Sequence, residues 1–272
     1  MDEELEDWAD RLEATAESTR FDSGKVRVFA RCDSTQDPAR DLGIGSIVTT
    51  SRQSAGRGRL GRTWVEDRGT GIAVSLGLQE IPPEQACIAV AVAAMTALRG
   101  AMVEGGATPE EAGRVALKFP NDLVDRRGGR KIGGILVEVS GDLAVVGIGL
   151  NIHPREWPEG VEGISIAELA PVADLSRIEI LERLLVEVDR AWSLPADRLD
   201  EVFAADHAPT GGMVRIGIGE DPDPSSSISG RLVDLDPRRR LLVDGDRGSV
   251  EVPVERARIL SWTPHEIRPS GT

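Results

Sequence analysis

One stretch constrains the chain more than any other: Ser51 to Trp64, Ser-Arg-Gln-Ser-Ala-Gly-Arg-Gly-Arg-Leu-Gly-Arg-Thr-Trp. Gly56, Gly58 and Gly61 are interleaved with Arg57, Arg59 and Arg62. Glycines at this density let the backbone turn and expose its N–H groups. The arginines add fixed charge and forked donors that suit carboxylate or phosphate oxygens. Apolar runs at 47–50 and 72–76 read as flanking strands. The stretch is therefore a loop between strands, entropically costly unless something orders it, and a small anion is the simplest candidate. A nucleic-acid arm fits less well, because the repeat is short and framed by strands. Against 46 Asp plus Glu, 32 Lys plus Arg leave a net charge of −14, which a phosphate backbone repels.

A length of 272 residues gives room for one large domain and a small one. The longest apolar run, at 86–98, is Ala-rich and too short to span a bilayer. The start, Met1-Asp2-Glu3-Glu4, lacks the basic and apolar character of a signal peptide. Cys32 and Cys87 form neither a disulfide framework nor a metal-ligand spacing. A cytoplasmic protein, without a membrane segment, is expected. Only three of the basic residues are lysines, Lys25, Lys118 and Lys131, and the only asparagines are Asn121 and Asn151. In so arginine-rich a chain, a surviving Lys or Asn marks a place where Arg or Asp would not serve. Lys118, Asn121 and Lys131 fall close together and Asn151 follows, which points to a site.

The order of elements predicts an α+β fold. An acidic helix at 1–19 carries an apolar stripe of Leu5, Trp8 and Leu12. A strand at 25–31 leads to a helix start at Asp33-Ser34-Thr35, where either hydroxyl is a cap or faces a ligand. After the Gly–Arg loop come a strand at 70–78, a long helix from Pro82 to about Val103 and a loop at 105–113. The strand at 114–124 is bent by Pro120. Strands at 131–138 and 143–152 follow, the first with Gly133 and Gly134 suggesting a bulge or a close ligand. The second has Gly147 and Gly149 on one face, which lays a floor with a notch. An irregular excursion at 153–170 precedes helices at 176–192 and 199–205. From about 208 the pattern becomes four short strands, at 213–218, 228–235, 240–243 and 250–254, with a loop at 220–227: a small all-β module of SH3-like barrel type.

Four motifs occur in order: Gln53-Ser54-Ala55-Gly56-Arg57-Gly58-Arg59, Lys118-Phe119-Pro120-Asn121-Asp122, Lys131-Ile132-Gly133-Gly134-Ile135-Leu136-Val137-Glu138 and Gly147-Ile148-Gly149-Leu150-Asn151. Together they resemble the biotin protein ligases (biotin–acetyl-CoA-carboxylase ligases), over about 26–260. The resemblance implies a mixed β-sheet catalytic domain of the biotin/lipoate ligase type at 1–207. An SH3-like barrel at 208–264 and a tail at 265–272 follow. It implies ATP-dependent formation of biotinyl-5′-AMP, then transfer of biotin to a lysine of a biotin carboxyl carrier protein or domain. Mg²⁺ is expected with ATP rather than in a protein cage.

The same resemblance assigns roles. Ser34, Thr35 and Gln53 would bind the biotin head, with Gly133 and Gly134 beside the ring. Arg57 and Arg59 would close over biotin and the adenylate, and Lys131 would lie between the carboxylate and the α-phosphate. Arg62, Trp64, Asn121 and Asn151 would form the nucleotide side, with Lys118 near them. Asp122 would help hold Mg²⁺, accept the carrier lysine's proton, steer electrostatically or serve structure. The chain departs from the usual motifs at Phe119, where Trp is usual, and at Gln36, where Asn is usual. The DNA-binding domain of the repressor members has no counterpart here, so no operator binding is expected. Edge strands of the sheet could pair with a second copy, giving a homodimer, or with the carrier. A lipoate or octanoyl ligase, and a non-catalytic biotin sensor, are the alternatives.

Overall fold

The computed structural model describes residues 5–65, 69–172, 175–219, 227–246 and 248–263. Helix α1 (Trp8–Ala16) buries Trp8, Leu12 and Ala16, the stripe that the spacing predicts. Then come β1 (Val26–Phe29), α2 (Gln36–Leu42), β2 (Ile47–Thr50) and the two-residue strands β3 (Gly56–Arg57) and β4 (Thr63–Trp64). β5 (Gly71–Gln79) leads into the long α3 (Pro83–Glu104), and α4 (Pro109–Ala112) precedes β6 (Val115–Lys118) and β7 (Asp122–Asp125). β8 (Lys131–Ser140) and β9 (Leu143–Asn151) are followed by α5 (Ile166–Leu169), α6 (Arg177–Trp192) and α7 (Ala196–Ala205). The rest is β10 (Met213–Ile218), β11 (Ile228–Asp236), β12 (Arg240–Gly245), β13 (Gly248–Pro253) and β14 (Ala257–Trp262).

The first nine strands, apart from the β3–β4 hairpin, form one sheet in the order β1-β2-β5-β9-β8-β7-β6. β1 and β2 are parallel and the other pairs antiparallel, so the sheet is mixed. Both parallel and antiparallel pairs are accounted for by connectivity: α2 carries the chain from β1 back to start β2, whereas β8 and β9 are joined by a tight turn at Gly141. α3 packs on this sheet and against α6. It is buried nearly all round, which explains its even apolar composition. Among the described residues it is the one helix long and apolar enough to cross a membrane, and most of its apolar stretch is buried inside the protein. The apolar segment is thus longer than the run 86–98 suggests, and most of it serves the core.

α6 takes α1 on its other side. The Arg177 guanidinium lies 5.0 Å from the Trp8 ring, and Arg11 forks onto Glu182. The second sheet has the order β13-β12-β11-β10-β14 and is antiparallel throughout. No pairing of β13 with β14 closes it among the described residues, so the expected barrel is an open five-stranded sheet here. Its fifth strand, β14, adds to the four read from sequence. Buried residues of both sheets belong to one apolar cluster.

The loop expected at 105–113 contains α4. Thr108 and Glu111 form a capping box, with Pro109 in the first turn. The bend at Pro120 is a full reversal, since β6 and β7 pair with each other across it, Lys118 opposite Asp122. The expected bulge lies where β7 meets β8: the register shifts between Leu123 and Val124. Most of the expected loop at 220–227, and the tail at 265–272, lie outside the described residues.

Candidate active site

The floor is β8 against β9, with Gly134 opposite Gly149 and Leu136 opposite Gly147. The notch left by the two β9 glycines is occupied by side chains. A Cβ at Gly149 would stand 2.4 Å from the Trp64 indole, and one at Gly147 2.7 Å from the Gln36 amide nitrogen. Gly134 makes room for Lys131, whose Nζ would be 2.9 Å from a Cβ there. Gly133, one residue away, faces the opposite side, toward Gly149 O and Leu150.

One wall is the start of α2. Ser34, Thr35 and Gln36 are all buried. Thr35 holds the N-cap position, yet its hydroxyl caps nothing; it lies 2.7 Å from Ser75 Oγ on β5. Its backbone N–H donates to Gln53 Oε1 at 3.1 Å, which fixes the side chain that follows β2. Ser34 Oγ accepts from the Gln36 N–H at 3.3 Å. Of the two readings for these hydroxyls, Ser34 serves the local turn and Thr35 the site wall.

The roof is the Gly–Arg stretch, folded as the β3–β4 hairpin. Gly58 N–H donates to Arg62 O at 2.7 Å, and the tip passes through left-handed backbone at Leu60 (φ 56°) and Gly61 (φ 71°). Glycine takes that conformation freely and leucine does not. Arg57 donates to Asp37 Oδ1 at 2.7 Å and stands 3.6 Å from Glu138, while Arg40 pairs with the same two carboxylates. The Arg57 hydrogen bond, then Arg40, holds the Asp37 carboxyl below its usual pKa. Arg59 donates to Asn121 Oδ1 at 3.1 Å, and Asn121 in turn donates to Ile135 O at 2.8 Å.

Lys131 Nζ lies 2.5 Å from Asp122 Oδ1 and 5.9 Å from the centre of the Trp64 ring. Its carbonyl accepts from Asn151 Nδ2 at 3.2 Å. Lys118 is half-buried beside them. Burial pushes its ammonium pKa down, Asp122 opposes that, and Lys131 and Arg62 add to it. Two hollows share Arg57, Gly58 and Arg59 as their partition. The inner one is about 60 Å³, and the outer one about 1030 Å³, between the hairpin, the start of α3 and the second sheet. The outer hollow has the volume; the inner one has the chemistry.

Of the residues predicted from sequence, Ser34, Thr35, Gln53, Arg57, Arg59, Trp64, Asn121, Lys131 and Gly134 line the inner hollow. Asp122 and Asn151 reach it through Lys131. Arg62 lines the outer hollow, Lys118 lies across the β6–β7 pair from Asp122, and Gly133 faces away. Sequence reasoning missed Ser75, Asp37 and Glu138, and it noticed Gln36 only as a departure. Ser75 carried a signal, a lone hydroxyl in a strand that is apolar up to Gln79.

Residues 28–152 match the Biotin/lipoate A/B protein ligase family. The chain is 32% identical over 204 residues to the biotin–acetyl-CoA-carboxylase ligase of Mycobacterium tuberculosis, covering 74% of this chain and 73% of that one. It is 34% identical over 229 residues to the enzyme of the same name from Paracoccus denitrificans, covering 74% and 92%. The biotin protein ligase from Aquifex aeolicus, solved in complex with biotin and ATP, superposes with a TM-score of 0.72 at 25% identity, covering 89% of this chain and 99% of that one. Sequence and fold together place the chain in the class of the biotin/lipoate ligases. Within that class, this chain belongs to the biotin–acetyl-CoA-carboxylase ligases and is a ligase.

Proposed function

We propose that the inner hollow, opened, binds biotin and ATP and runs two steps. A biotin carboxylate oxygen attacks the α-phosphorus of ATP; the bond to the bridging oxygen breaks and pyrophosphate leaves. The amine of a carrier-domain lysine then attacks the acyl carbonyl, loses a proton and expels AMP. The observation that carries this reading is the position of Lys131. Its ammonium stands on the floor beneath the two hairpin arginines, beside the polar wall of Ser34, Thr35 and Gln53. Bringing a carboxylate to a triphosphate needs cations to offset their repulsion. Here Lys131 sits between carboxylate and α-phosphate, Arg57 and Arg59 close over them, and the hairpin keeps water from the adenylate.

Ser34, Thr35 and Gln53 take the biotin head, with the Gly134 backbone beside the ring. Trp64, Asn121 and Asn151 take the nucleotide, with Arg62 and Lys118 at the triphosphate. Asp122 orients Lys131 through their ion pair. No group of three or more potential metal ligands occurs among the described residues. Asp122 is already engaged, so Mg²⁺ arrives with ATP and has no protein cage. The acceptor is the carrier domain of a biotin-dependent carboxylase. The margin strand β1, paired only with β2, offers a surface for it or for a second copy. We read 1–207 as catalytic, 208–264 as the second domain and 265–272 as a tail. Two cysteines without the spacing of a disulfide framework suit the cytoplasm. α1 packs against α6, and among the described residues the acidic chain offers no basic helix to DNA, so operator binding is not expected.

The test is adenylate formation from biotin and MgATP, read by mass spectrometry with lipoate in parallel. Biotinyl-5′-AMP alone is expected. Lipoyl-AMP without biotinyl-5′-AMP would move the protein to the lipoate ligases, and neither product in a protein that binds biotin would make it a sensor.

A further inference from the structure

Two residues lining the inner hollow are left with an unmet demand: Trp64, with an unpaired donor, and Gln36, with an unpaired acceptor. Gln36 is 3% exposed, yet its side-chain Oε1 is buried without a hydrogen-bond partner. Its Nε2 donates to Leu136 O at 3.4 Å, across the hollow on β8. That bond fixes which end of the amide is which, because the reversed amide would set two carbonyl oxygens against each other. The room for it is made by Gly147, where a Cβ would come within 2.7 Å of the amide nitrogen. A buried acceptor left unpaired is costly, because it gives up water and gains no partner in exchange. The Gln53 acceptor beside it is already used by the Thr35 N–H, and the Thr35 and Ser75 hydroxyls use each other.

We infer that Gln36 is a specificity-determining residue, whose free Oε1 accepts a hydrogen bond from one ureido N–H of biotin. The inference rests on the ligase reading above. A cyclic urea brings two N–H donors and one carbonyl. The wall supplies hydroxyl and amide donors for the carbonyl, and Gln36 supplies an acceptor held in place from behind. A dithiolane ring has no N–H to offer and would leave Oε1 orphaned, so the residue separates biotin from lipoate by what each leaves unpaired. The extra methylene relative to asparagine carries the amide across to Leu136, and glycine at 147 admits it.

The experiment is a cycle of two ligands and two proteins, read by calorimetric titration. The ligands are biotin and its carbamate analogue, in which one ureido N–H is replaced by an ether oxygen, made for each nitrogen in turn. The proteins are the wild type and Gln36→Met, which keeps length and removes the acceptor. Wild type should bind one of the two analogues about tenfold more weakly than biotin. Gln36→Met should bind biotin about tenfold more weakly and no longer tell that analogue from biotin. Equal discrimination by both proteins, or equal wild-type affinity for all three ligands, would overturn the assignment. Gln36→Glu keeps an acceptor and gives up the bond to Leu136; it should retain discrimination, and its loss would also count against the role. Wild type that binds no biotin at all would instead overturn the ligase reading, and this assignment with it.

Discussion

The floor of the site and the hairpin above it are held by different forces. β8 and β9 pair continuously from Gly133 to Ser140, with buried backbone and apolar packing behind them. The β3–β4 hairpin has two paired positions, and its tip residue Leu60 is 61% exposed. What fixes the hairpin lies in side chains: Arg57 on Asp37 and Glu138, Arg59 on Asn121. Ion pairs this exposed are worth about 0–1 kcal/mol each. A geometry that must discriminate is therefore built into the ladder, and a cover that must open is tied by bonds that cost little to exchange. The arginines that hold it down have the chemistry to bind the anions that would replace those carboxylates.

The sharpest way to break this contrast is to remove charge from the floor without touching the ladder. Lys131→Ala should lower the rate of adenylate formation by about 100- to 1000-fold, with an unchanged melting profile. A rate within tenfold of wild type would take the reaction's charge balance away from the floor. Next, an added methyl should be felt unequally. Gly133→Ala places a Cβ 2.7 Å from the backbone oxygen of Gly149, and should cost about 1–3 kcal/mol in urea unfolding. Gly58→Ala in the hairpin meets its nearest atom, Arg62 O, at 3.2 Å, and should stay within about 0.5 kcal/mol. Equal costs would show that both regions are packed alike.

The β6 edge of the large sheet should also respond to acid. His207 is buried, pairs by a backbone bridge with Leu117, and has its pKa pushed down to about 3 by burial, then by Lys118 and Arg126. The unfolded chain thus binds a proton that the folded one refuses. Stability is full above the ordinary value of 6.5 and falls as pH drops from there toward 3. From pH 6 to 5 the loss should be about 1 kcal/mol, and His207→Gln should flatten that slope in thermal melts. The smallest effect belongs to the hairpin tie. Asp37→Asn should change stability by less than about 0.5 kcal/mol and speed biotin association a few-fold in stopped-flow traces. The Asp37 carboxyl is held below its ordinary pKa, so its contribution is present above about pH 4 and lost only as pH falls further. A slower association would mean that the carboxylates guide the ligand and do not hold the lid.

Much of the floor was legible because a strand's period of two writes itself into the sequence. Gly147 and Gly149, and the strands around them, could be placed on one face from spacing alone. The hairpin's fastenings could not. Arg57 and Glu138 meet from two elements far apart in the sequence, and an ion pair between such distant residues leaves no local pattern. Thr35 read equally well as a cap or as a wall; only Ser75, from another strand, decides between them. α4 did announce itself through Thr108, Pro109 and Glu111, a capping box that the surrounding glycines obscured. β14 runs Ala-Arg-Ile-Leu-Ser-Trp without alternation, because its place on β10 comes from the partner strand and not from its own pattern.

Trp64 ends the hairpin, lies flat on Gly149 and buries an indole N–H that has no partner. The inner hollow beneath it is too small for a bicyclic ligand, so on the proposed reading the ring lifts to admit one. The other four tryptophans, at 8, 157, 192 and 262, line neither hollow. The wavelength at which the protein emits on ultraviolet excitation should therefore shift when the cover moves, through a chromophore already attached to its hinge.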